Sequence, residues 1–286
     1  MNFLQMSRIA QTFLIVLFCG MMITVISQES GYLMSDNNDI VLDSETEIDD
    51  KNPSIAQKDD SVTSKEPIGD VTEDNTSKKD GIYSFFQRKE AWYQGVAWSG
   101  EWSAFEYKGK VFSDFGCGLC CMANVYDTLS PYEVSPKDMF FHAMNVSGYS
   151  PSSAGAAISW WNMKTTLTKS GIVCKLYHKP SSYAEFQQQI SQCTSAIVLV
   201  SSVYDNTYWT TTKGHYVSIW NYDKDTDTAF LTDPGKISRN RQRIPLRYVY
   251  NALKISSDYQ FLLVTDYVEE NNQWKGNGIT EQWNRP

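Results

Sequence analysis

The chain has 286 residues, a formal net charge of −8 and a sequence pI near 5.0, enough for one large domain or two small ones. The charge is uneven: residues 29–80 hold 15 Asp/Glu and 5 Lys, a net of −10, while residues 81–286 hold 18 Asp/Glu and 19 Lys/Arg, a net of +1. The acidity therefore belongs to one segment, and with no basic patch anywhere, nucleic acid is not expected as a partner.

At the N-terminus, residues 9–28 carry no charge, and the apolar run Phe13–Ile26 follows Arg8. The short apolar core and Val25-Ile26-Ser27 suit a signal peptide with a small-residue cleavage site. The uncharged stretch also reaches the ~20 residues that a spanning helix needs. Residues 1–28 are thus expected to be a signal peptide or an N-terminal membrane anchor. Either places the rest outside the cytoplasm, secreted or held to the membrane by this segment. Phe18 before Cys19 is too bulky for a lipoprotein site. Residues 29–80, rich in Asp, Glu, Ser, Thr, Asn and Lys, bury too little apolar surface to offset chain entropy and are expected to be a disordered acidic linker.

The folded domain is expected over residues 81–286. Tyr83–Trp102 is dense in aromatics and reads as a short helix or turn packed on the core. Next comes Gly116-Cys117-Gly118, and the following stretch, Leu119–Leu129, has no Pro or Gly. Ala123, Val125 and Leu129 supply apolar positions, so a buried helix is predicted with Cys117 in its first turn. The free N–H groups and positive end of a helix favour an anion there, which is how a thiolate nucleophile is commonly built. The flanking glycines would let a substrate backbone approach. On its own the motif is weak, because cysteine is often simply buried. Cys117 and Cys120 also form a CxxC pair that could be a redox dithiol or half a zinc site.

Further along, Pro136–Asn145 reads as a short helix and Ser153–Gly171 as a longer one stopped by Gly171. Ile172–His178 alternates as a strand. Ser182–Cys193 is predicted helical with Ser181 or Ser182 as N-cap, and Ala196–Ser201 is a strand buried on both faces. Gly214–Asn221 and Thr228–Gly235 read as a hairpin around turn residues 221–226, the second arm ending in Pro234-Gly235. If that hairpin is symmetric about Lys224, His215 lies opposite Asp233, with Cβ atoms about 4.5–5.5 Å apart. A one-residue slip would put the two on opposite faces. A short helix around Tyr248–Lys254 and a strand Tyr259–Asp266 complete the domain. The fold class expected is α+β, an N-terminal helical part packed on an antiparallel sheet.

Cysteine peptide hydrolysis needs a thiolate, an imidazole that takes and returns a proton, and a group that orients the imidazole. Cys117, His215 and Asp233 supply these in order. His142 and His178 lack a comparable acid on a paired strand. Taken alone, His215 could be a structural histidine and Asp233 a turn residue.

The order Gly-Cys-Gly, then Gly214-His215-Tyr216-Val217, then Thr232-Asp233-Pro234 resembles the bacteriocin-processing peptidases that cleave double-glycine leaders, especially their stand-alone relatives. Trp92-Tyr93-Gln94 and Trp102 resemble that family's aromatic opening, and the likeness spans about residues 90–240. The resemblance implies a papain-like cysteine peptidase fold, a peptide or protein substrate, and Cys117, His215 and Asp233 as catalytic residues. It implies no cofactor and no metal. The chain departs from the family at Leu119, in place of a Pro, and at Val111, where an oxyanion-stabilising Gln is expected six residues before the cysteine. Gln94 is the substitute candidate for that role.

Other classes stay open. A papain-like domain retained for binding without catalysis is one, and a cell-wall peptide hydrolase or amidase using the same three residues is another. The redox reading lacks the strand pattern of a thioredoxin-like fold, and zinc lacks a second ligand pair. Cys174 and Cys193 could form a disulfide or remain paired thiols.

Overall fold

A computed structural model describes residues 81–152 and 156–286. The expected signal peptide or anchor and the expected acidic linker lie outside the described residues. Among the described residues, no helix is long and apolar enough to cross a membrane.

The N-terminal half is helical: α1 (Lys89–Tyr93), a 3-10 turn (Glu101–Ala104), α2 (Phe112–Phe115), α3 (Cys117–Leu129), α4 (Pro136–Ser147) and α5 (Trp160–Lys169). A two-stranded hairpin, β1 (Glu106–Tyr107) and β2 (Lys110–Val111), precedes α2. Lys108 and Gly109 form its turn with φ of 50° and 72°, the double positive φ that a two-residue hairpin favours. The C-terminal half holds β3 (Ser170–Tyr177), α6 (Tyr183–Ile190), β4 (Ser195–Val200), β5 (His215–Asp223), β6 (Thr228–Thr232), β7 (Gln242–Pro245), α7 (Leu246–Ala252) and β8 (Phe261–Asn272). These strands form one antiparallel sheet in the order β3-β8-β4-β5-β6-β7.

The sheet is covered on both sides, which explains the unbroken apolar run of β4. Ile197 and Leu199 pack with α3 residues such as Leu119, Met122 and Tyr126, while Ala196, Val198 and Val200 join Phe186 of α6 and Val249 of α7 on the other face. The β5 residues divide in the same way: Tyr216 and Trp220 face the helices, and Val217 and Ile219 the opposite side. Strand period 2 sets this division.

Local chemistry sets the helix ends. Ser135 and Asp138 form a reciprocal capping box at α4, with Pro136 in the first turn. Ser182 caps α6 by accepting the Glu185 N–H. The helix expected from Ser153 starts later, at Trp160, because Ser159 caps it by accepting the Asn162 N–H. The segment before it is pinned differently: the carbonyls of Ala156 and Ile158 accept the Tyr149 and Tyr216 hydroxyls. Gly171, at φ 83°, takes the left-handed turn after α5, as its stop role requires. Strand β7 was not expected. It is a short, charged edge strand ending in Pro245, exposed except for Ile244, with none of the usual apolar alternation.

The C-terminal tail returns to the N-terminal aromatics. Trp98 N–H donates to Asn284 O at 2.7 Å and Asn284 N–H to Ser99 O at 2.8 Å. The Trp283 ring lies 5.7 Å from Phe85, 6.0 Å from Trp98 and 6.3 Å from Trp102. Trp283→Ala in the full chain is expected to lower unfolding stability by about 2 kcal/mol in urea titrations. Arg285→Ala, which removes the pair with Glu133 and the guanidinium lying 4.5 Å over the Trp283 ring, should cost no more than ~1 kcal/mol. Equal losses would show that aromatic packing is not what holds the tail.

Candidate functional site

Cys117 opens α3 and is 3% exposed. The break between α2 and α3 falls at Gly116, which keeps near-helical dihedrals. The two flanking glycines are required by packing. A Cβ on Gly116 would lie 2.2 Å from the Phe112 ring, and one on Gly118 2.6 Å from Ile158. Both positions are therefore small because α3 is pressed against its neighbours.

The other thiols sit in different surroundings. Cys120 and Cys121 are fully buried, and burial pushes both well above the ordinary thiol range. Burial also raises Cys174 to about 11 and Cys193 to about 12. All five described cysteines are free. Cys174 lies in β3 and Cys193 just ahead of β4, with β8 between those two strands.

His215 begins β5, and Asp233 follows the end of β6. The observed pairing is Ser218↔Thr232, Ile219↔Leu231 and Trp220↔Phe230, then Asp223↔Thr228 after a bulge. The hairpin is thus displaced by two residues from the symmetric register expected about Lys224. Asn221 and Asp227, at φ 46° and 53°, accommodate the bulge and the turn. A two-residue shift keeps the same face. Continuing the register puts Gly235 across from His215, and Asp233 meets the ring diagonally. A Cβ on Gly235 would lie 2.8 Å from His215 Cε1 and Nε2, so only glycine leaves room for the imidazole.

Asp233 is fully buried, and its carboxylate is saturated with donors. Oδ1 faces His215 Nε2 at 2.8 Å and accepts the Gly235 N–H at 2.8 Å. Oδ2 accepts Arg239 Nε–H at 2.8 Å. The Asp233 N–H donates to Asn240 Oδ1, which also accepts the Ser84 hydroxyl, and Asn240 Nδ2 donates to Ser84 O. The turn from 233 to 240 is thereby tied to the first residues of the domain. Losing one partner from a buried ion pair of this kind costs about 3–5 kcal/mol.

Burial alone would lower the His215 pKa. The Asp233 charge and hydrogen bond, with a smaller contribution from Cys117, outweigh it and raise the value from 6.5 to about 9. Burial likewise works against the Asp233 carboxylate, but His215 and Arg239 hold it well below its ordinary value. With Nε2 committed to Asp233, Nδ1 is the ring atom left for Cys117.

Gln94 is exposed at the end of α1, where its N–H bonds Glu90 O. Val111 caps α2 in an extended conformation. The buried glutamine beside Cys117 and Asp233 in the chain's contacts is Gln87, which sequence reasoning missed. Its N–H donates to Pro234 O, next to Asp233, and its Nε2 donates to Ser113 O at 2.9 Å, four residues before Cys117. The Ser113 carbonyl can only accept, which fixes the amide orientation and leaves one Nε2 hydrogen uncommitted. Gln87 Oε1 is buried without a hydrogen-bond partner. The only sequence signal was a polar residue closing the aromatic run Tyr83–Phe86. Arg239 and Asn240 were also missed; Asp-Pro-Gly followed within seven residues by Arg and Asn was the available sign of a turn folding back.

The remaining histidines have other partners. His142 stacks on Trp274 at 4.0 Å, lies 3.1 Å from Ser170 Oγ, and burial lowers it to about 4. His178 stacks on Tyr259 at 4.8 Å.

No family model and no curated protein matches the chain. Among solved structures it is similar to one from Bacillus anthracis assigned as a C39-like peptidase. The TM-score is 0.34 and the identity 12%, over 54% of this chain and 90% of that one. At that level the site's own geometry carries the reading.

Because His215 titrates higher in the folded chain than its ordinary 6.5, its contribution to stability is complete below that pH and is lost as pH rises through about 9. Asp233, held below its ordinary 3.8, contributes above that pH and loses its contribution as pH falls further. NMR titration of the imidazole should place the His215 midpoint near 9, and Asp233→Asn should bring it down toward 6.5 or lower. A wild-type midpoint at or below 6.5 would contradict the pairing described.

Proposed function

We propose that the chain is an exported papain-like cysteine peptidase acting on peptide or protein substrates. The observation that carries this reading is the His215–Asp233 contact. A buried carboxylate holds Nε2 at 2.8 Å, which leaves the other ring nitrogen for a cysteine at a helix start.

In this reading Cys117 Sγ gives its proton to His215 Nδ1, and the thiolate attacks the scissile carbonyl carbon. The resulting oxyanion is met by the uncommitted Gln87 Nε2 hydrogen and by the Cys117 N–H, since the first N–H groups of a helix have no intrahelical acceptor. His215 then protonates the leaving amine as the C–N bond breaks, leaving a thioester on Cys117. Water, losing a proton to His215, hydrolyses the thioester; the acid product leaves and the thiol is restored. Asp233 orients the ring and stabilises the imidazolium.

In this reading Gln87 supplies the donor that Val111 cannot. The cell-wall alternative uses the same chemistry on a different peptide and is separated by substrate alone. The test is incubation of the full chain with a peptide mixture and, separately, with muropeptides, followed by mass spectrometry of new termini. Cleavage by wild type that disappears in Cys117→Ala and His215→Ala is expected. Cleavage of muropeptides only would assign the cell-wall reaction, and products that persist in both variants, or none from wild type, would overturn the proposal.

Gln87→Ala is expected to keep Cys117 reactive toward iodoacetamide while lowering kcat by about 10²–10³, the usual loss for one oxyanion donor. Gln94→Ala should leave kcat unchanged. The reverse ranking would assign the donor to Gln94.

A further inference from the structure

Arg239 has no place in the three-residue chemistry above, yet it is built into the site. Its side chain is 10% exposed, and its Nε lies 2.8 Å from Asp233 Oδ2, while His215 Nε2 lies 2.8 Å from Oδ1. One buried carboxylate therefore serves two cations whenever His215 is protonated.

The charge balance of the buried set is decisive. With Arg239 present, a neutral thiol beside a neutral imidazole sums to zero with Asp233. A thiolate beside an imidazolium also sums to zero. Moving the proton from Cys117 Sγ to His215 then changes no net charge in a site where uncompensated charge is expensive. Without Arg239, both states would carry a buried negative charge. The neutral state would instead pair an imidazolium with an unionised thiol, which is not nucleophilic.

Other titratable groups do not replace it. Cys121 from α3, Tyr149 beyond α4, Tyr208 from the loop before β5, and Tyr216 of β5 face this set, and burial raises every one, so they are uncharged at neutral pH. Asp258 acts on Tyr216.

We propose that Arg239 is a positioning residue whose charge, delivered through Asp233, lets Cys117 and His215 exist as a thiolate–imidazolium pair without a net buried charge. This rests on the reading of Cys117 as nucleophile.

The test is the pH profile of Cys117 alkylation by iodoacetamide in the full chain, read by peptide mapping, on variants whose folding is checked by thermal unfolding. Arg239→Gln is expected to move the half-maximal pH upward by about one unit, a roughly tenfold slower reaction on the rising limb. Arg239→Lys, which keeps the charge, should move less than half as far. A glutamine variant that superimposes on wild type, or a lysine variant displaced as far as glutamine, overturns the proposal alone. Should Arg239→Gln not fold, Arg239→Lys decides: a profile displaced by about one unit or more although the charge is kept overturns the proposal. A wild-type profile that His215→Ala leaves unchanged overturns the peptidase reading and this proposal with it.

Discussion

A carboxylate taken fully out of water is tolerated only when its lone pairs are satisfied and its charge is matched, and Asp233 meets both conditions through three donors. Each donor constrains a different part of the fold. His215 ties it to the start of β5, the Gly235 N–H to its own turn, and Arg239 to the end of the loop that leads into β7. Through Asn240 and Ser84 the same turn is joined to the first residues of the domain, and Gln87 N–H bonds the adjoining Pro234 carbonyl. The segment carrying the buried Gln87 is thus positioned by the turn that carries the acid.

The sheet and helices hold the two halves of the site in register. β4 buries both faces, so β5 beside it is fixed between α3 on one side and α6 and α7 on the other. Gly116 and Gly118 let α3 approach Phe112 and Ile158, and Tyr216, next to His215, lies against Gly118. The C-terminal tail closes the arrangement by laying Trp283 on the aromatics from which Gln87 projects.

Much of this was legible in the chain because it rests on local signals. The α3 boundary, the Ser182 cap, the central strand and the Gly171 stop each follow from punctuation or period within a few residues. His215 and Asp233 could be brought near one another because strand alternation and Pro234-Gly235 mark both ends of a hairpin. Periodicity sees neither where the turn closes nor the residue absorbed at Asn221: Asp223 pairs with Thr228, three off the expected register, and the bulge brings Trp220↔Phe230 back to two, so the face survived because two is the strand period. The late start of α5 depended on tyrosine hydroxyls reaching from Tyr149 and Tyr216, contacts with no local signature. Gln87, Arg239 and the tail were hidden for the same reason: their partners lie far away along the chain.

The proposed chemistry requires one thiol of this chain to be set apart by an imidazole held on a buried acid. The most direct measurement is a labelling race in the full chain: limiting iodoacetamide at mildly acidic pH, with the modified cysteine identified by peptide mapping. Cys117 is expected to be labelled first, and His215→Ala to abolish its lead over Cys174 and Cys193. Labelling of Cys117 no faster than those two, or a lead that His215→Ala leaves intact, would contradict it.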